Sequence, residues 1–134
     1  MIAPDNSAAP ALDLTANEIQ QLVWLGFQGV LNGTPAAALR VFNALSVVRP
    51  NEGFPRIGVA LAQMSTGRAE EAVRTLEEVA RRLPQDEYVR VFLGMALRMA
   101  NRGHQADSVL ASLADRRDDA ATSRLARQLR KLSL

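Results

Sequence analysis

The chain has 134 residues, the size of one domain, and its 48% hydrophobic and 22% charged content with 8 Gly and 6 Pro excludes a disordered or collagen-like polymer. The absence of cysteine and a single histidine, His104, exclude a disulfide framework, a thiol nucleophile and a Cys-based zinc site. A net charge of +2 raises a nucleic-acid reading, but residues 1–50 hold 2 basic and 3 acidic groups, 51–97 hold 6 and 7, and 98–134 hold 8 and 4, so the basic excess is C-terminal.

Aromatics make up only 4% of the chain, so its core is aliphatic and small-residue, which suits close helix packing and points to an all-α class. No apolar run approaches the roughly 18 residues of a membrane span, and MIAPDNSAAPALDL lacks a basic start followed by an apolar stretch, so a cytoplasmic protein is expected.

Residues 1–14 mix Pro4, Pro10, Ser7 and Asn6 without periodicity and read as a flexible N-terminal arm ahead of a helical domain over 15–134. Thr15-Ala16-Asn17-Glu18 has the form of a capping box and predicts a first helix, carrying Leu22, Leu25, Gly26 and Gly29 at helical steps. It stops at Asn32-Gly33-Thr34-Pro35, where Thr34 is placed to cap and Pro35 to open a second helix running to about Val48, before Pro50.

That unit recurs at a spacing of 34 residues. Gly33, Gly67 and Asn101 fall on one register, all residue types that tolerate a left-handed turn. Ala38, Ala72 and Ala106 form the next; Phe42, Leu76 and Leu110 a large apolar row; Leu45, Val79 and Leu113 a second. Pro50 and Pro84 end two units where the third has Asp118, and Gly26, Ala60 and Gly94 supply a small residue before each turn. Small residues in both helices of a pair let their backbones approach, while the larger rows fill the layer between pairs.

The pattern resembles the tetratricopeptide repeat, a 34-residue helix-turn-helix unit with small residues at these offsets and a terminal proline. The resemblance implies three repeats at about 19–52, 53–86 and 87–120, stacked as a short right-handed solenoid. The sequence departs from the pattern where the family often has aromatics: Leu22, Arg56 and Arg90 early in the first helices, and Gly29, Gln63 and Leu97 later. A capping helix is expected over 121–133, with Leu125, Leu129 and Leu132 as its apolar stripe, Asp118 and Asp119 at its start, and Arg127, Arg130 and Lys131 on a solvated face.

In such a stack the first helices line a concave groove, whose inward positions are Val23, Phe27 and Val30, then Phe54, Ile57, Leu61 and Met64, then Tyr88, Val91 and Met95, with polar Gln20 and Arg98 at the ends. A contiguous apolar lining predicts a bound protein partner, with the N-terminal arm or a second copy of the chain, as a homodimer, the other occupants. It lacks the Lys, Arg and Asn lining with which chaperone-tail-binding tetratricopeptide modules clamp a carboxylate.

The segment from Val41 to Val48, followed by Phe54 to Gly58, Gly67 and Ala72, is similar to the central region of the tetratricopeptide chaperones of type III secretion systems. That resemblance, over about residues 19–115, implies a chaperone holding an apolar segment of a secreted or export-apparatus subunit in the groove. The chain is short for a translocator chaperone, which leaves a needle or early-component chaperone open. A self-associating scaffold is the alternative.

No nucleophile elbow, phosphate-cradling glycine loop or His–acid pair is present, so no catalysis, cofactor or metal is expected. His104 reads as an exposed turn residue beside Gly103. Glu70, Glu71, Glu77 and Glu78 are spaced to pair along one helix with Arg74, Arg81 and Arg82. All six aromatics precede residue 93, leaving Arg116, Arg117, Arg124, Arg127, Arg130 and Lys131 without stacking partners for nucleic acid.

Overall fold

The computed structural model describes Thr15, Asn17, Gln28, Gly29 and residues 32–131. Among these, six helices follow one another: α1 Pro35–Val48, α2 Phe54–Ser65, α3 Ala69–Arg82, α4 Glu87–Met99, α5 Gly103–Ala114 and α6 Ala121–Lys131. The chain is all-α, as its composition predicts. Of the first predicted helix only Asn17, Gln28 and Gly29 are described, each of them helical, and of its capping box only Thr15 and Asn17; the arm over 1–14 lies outside the described residues.

The 34-residue spacing is visible in the backbone. Gly33, Gly67 and Asn101 have φ of 84°, 77° and 63°, all left-handed. The next residue in each case donates its N–H to the carbonyl five back: Thr34 to Gly29 at 2.7 Å, Arg68 to Gln63 at 2.9 Å, Arg102 to Leu97 at 2.8 Å. These are the long bonds of a left-handed helix cap, which closes one helix and turns the chain into the next. Helices α1, α3 and α5 therefore start at 35, 69 and 103.

The buried rows follow the same register. Ala38, Ala72 and Ala106, Phe42, Leu76 and Leu110, and Leu45, Val79 and Leu113 are all at most 2% exposed. Close approach depends on small residues both within and between pairs: a Cβ built on Gly94 would lie 2.5 Å from Leu110 Cδ2 of the same pair, and one on Gly58 would overlap the ring of Phe42 in the preceding pair. The third unit departs where Asp118 replaces the proline. Helices α1 and α3 end 34 residues apart, whereas α5 stops at Ala114, and a six-residue link, 115–120, carries the chain to α6.

Several local expectations are corrected. Thr34 occupies the N-cap of α1, but its hydroxyl donates to Gly29 O at 3.1 Å, closing the preceding helix and leaving α1 uncapped by a side chain. Gly103 and His104 belong to the first turn of α5, although His104 is exposed. Glu70 and Glu78 pair with Arg102 at 3.0 Å and Arg56 at 3.8 Å, and Glu71 with Arg68 at 3.3 Å, so these charges of α3 bind flanking elements and not one another. Arg82 donates to Pro50 O at 3.0 Å, joining the ends of two units.

Helix α6 buries Thr122, Ser123, Ala126 and Leu129, while Leu125 is 40% exposed and Leu132 lies outside the described residues. The expected leucine stripe is thus rotated, because Arg116 draws Thr122 and Ser123 inward. Its guanidinium donates to Glu87 at 2.7 and 3.0 Å, to Ser123 Oγ at 3.0 Å and to Thr122 Oγ1 at 3.4 Å, and Thr122 donates to Glu87 at 2.6 Å. The result ties the start of α4 to the start of α6.

Candidate functional site

Seven of the ten predicted groove residues are described, and the structure distributes them over three depths; Val23, Phe27 and Val30 lie outside the described residues. Ile57, Met64 and Val91 are buried, the first two among Leu76, Val89 and Leu93, the third against Leu110, Ala126 and Leu129. Phe54, Leu61 and Met95 are half-buried, and Tyr88 is 48% exposed.

Two first-position helices, α2 and α4, pack side by side and share the face on which the half-buried and exposed members lie. Along α4, Tyr88, Phe92, Met95 and Met99 succeed one another at steps of four, three and four, so they form one stripe. Phe92 is half-buried and Met99 43% exposed. The predicted α4 series ran 88, 91, 95, 98, and the stripe turns slightly away from it. Val91 is drawn into the core by α6, and Arg98 reaches sideways to Asp107 at 2.6 Å and Arg130 O at 3.1 Å. Phe92 and Met99 are the residues missed; an i, i+4, i+7, i+11 reading of EYVRVFLGMALRM from Tyr88 would have found both.

At the upper end of this face, Phe54, Ile57, Tyr88 and Phe92 line a cleft of about 440 Å³ between the starts of α2 and α4, with Asn51, Glu52, Gly53 and Asp86 at its mouth. Local sequence builds it. Pro55 sits in the first turn of α2, where its missing N–H costs no helical bond. Asp86 caps α4 by accepting from Val89 N–H at 3.2 Å. Gly53 lets the two starts approach: a Cβ there would lie 2.7 Å from Val89 Cγ2 and collide with the Asp86 carboxylate.

The basic C-terminal third is mostly committed elsewhere. Arg127 donates to the carbonyls of Ala114, Arg116 and Asp118 at 3.4, 2.8 and 3.1 Å, satisfying the last carbonyl of α5 and two of the link that follows it, and Arg130 pairs with Asp115 at 3.0 Å. The Arg116 guanidinium and the Thr122 hydroxyl hold the Glu87 carboxyl down to about 2, and the same carboxylate raises the Arg116 pKa. Asp118 is lowered by a hydrogen bond from Ser123. No group of His, Asp or Glu that could hold a metal ion occurs among the described residues, and no described helix is long and apolar enough to cross a membrane.

No family model and no curated relative matches the chain. Among solved structures, the Yersinia enterocolitica type III secretion translocator chaperone SycD matches with a TM-score of 0.66 at 17% identity, over 95% of this chain and 91% of that one. The chain thus shares the helical, tetratricopeptide-type fold of a type III secretion translocator chaperone.

Proposed function

We propose that the chain is a non-catalytic protein-binding module, a cytoplasmic type III secretion chaperone that holds an apolar segment of a secreted or export-apparatus subunit on the face shared by α2 and α4. The observation that carries this reading is the stripe Tyr88, Phe92, Met95 and Met99 facing Phe54 and Leu61, left partly open on a fold like that of SycD. Each such side chain, once fully desolvated by a client, is worth roughly 1.5–3 kcal/mol. Met95 and Met99 supply flexible thioethers that adapt to clients of different shape. Ile57, Met64 and Val91 act beneath this face, holding the helices that carry it.

Tyr88→Asp changes an exposed residue and leaves the core intact. Co-purification from the native host, with mass-spectrometric identification of the bound polypeptide, should recover one secreted or export-apparatus subunit with the unmodified chain and lose most of it with Tyr88→Asp or Leu61→Asp. Equal recovery with both folded variants, judged by circular dichroism, would remove this face as the binding site.

A further inference from the structure

The cleft at the upper end of the α2–α4 face differs in chemistry from the rest of it. Its walls are the aromatic rings of Phe54, Tyr88 and Phe92, and its mouth carries the carboxylates of Glu52 and Asp86 and no cation. Glu52 pairs with Arg49 at 3.5 Å, outside the lining. Asp86 has no cationic partner among the described residues. Its Oδ1 accepts from Val89 N–H, while Oδ2 is turned toward Gly53 at the cleft.

Aromatic faces attract ammonium and guanidinium groups, and the alkyl stems of Lys and Arg cover apolar surface while their heads stay polar. A carboxylate beside such rings gives the head a charge-assisted hydrogen bond. On the reading above that the face holds a client, we propose that this cleft takes a Lys or Arg side chain of the client. Its stem lies across Tyr88 and Phe92, its head meets Asp86, and the client's apolar residues continue over Leu61, Met95 and Met99. The chain's own first 18 residues carry Asp5, Asp13 and Glu18 and no basic side chain, so their charge opposes the cleft and a basic client complements it.

The test is a phage-displayed library of linear twelve-residue peptides selected on the full chain and on Asp86→Asn, in which asparagine keeps the helix cap and removes the charge. Lys or Arg should be enriched at least threefold near an apolar anchor with the unmodified chain. The enrichment should vanish with Asp86→Asn while the apolar anchors persist. Apolar anchors selected with no basic preference, or with one that Asp86→Asn leaves in place, would overturn the proposal alone. Selected sequences resembling residues 1–18 would assign the cleft to the chain's own segment and overturn it too. If no apolar sequence is enriched at all, the client-binding reading of the face fails with it.

Discussion

Asn101 holds a φ of 63° where the two equivalent turns have glycine. An L-residue there costs roughly 1–2 kcal/mol relative to a relaxed turn, least for Asn and most for β-branched side chains. Asn101→Gly should therefore leave urea stability within about 1 kcal/mol of the parent, and Asn101→Val should lower it by about 1–2 kcal/mol. Gly94→Ala should cost about 1–3 kcal/mol in the same titration, because its methyl meets Leu110 in a filled layer. These positions were legible in the sequence because the 34-residue spacing exposes them without any structure. Phe92 is legible only from the helical steps that start at Tyr88 and not from that spacing, since the register that fixes core rows says little about a stripe at the edge of burial, where a rotation of a fraction of a turn exchanges Val91 for Phe92.

At the scale of elements, α6 is the least sequence-legible part of the fold. Its leucines suggest a stripe through Leu125, but the buried side is Thr122, Ser123, Ala126 and Leu129, because two hydroxyls gain partners in Arg116 and Glu87. Buried polar residues escape an apolar-period reading, and nothing in the local sequence joins Arg116 to a carboxylate 29 residues upstream. The pairing has a pH signature. The Glu87 pKa is lowered from 4.5 to about 2 by folding, so its stabilisation is fully present above pH 4.5 and is lost as pH falls through about 2. Urea titrations at pH 6, 4 and 2.5 should show Glu87→Gln destabilised relative to the parent at pH 6, with the gap closing at pH 2.5. A gap unchanged with pH would mean that the charge of Glu87 does not hold α6 in place.

Across the whole molecule, the basic excess and the face proposed to bind a client separate. Arg116, Arg127 and Arg130 close the C-terminal end of the stack, whereas the aromatic and methionine stripe of α4 lies open beside α2. The helical class and the turn positions were readable from composition and repeat spacing. Which lining residues stay at the surface was not, because it depends on how far each helix rotates against its neighbours. Photo-crosslinking in the native host tests the central claim most directly. A benzophenone-bearing residue placed at Tyr88 should join the chain to a secreted or export-apparatus subunit. The same residue at Ser108, exposed on α5 and not on the α2–α4 face, should not. Crosslinks of equal yield at both positions, or at Ser108 alone, would contradict the account.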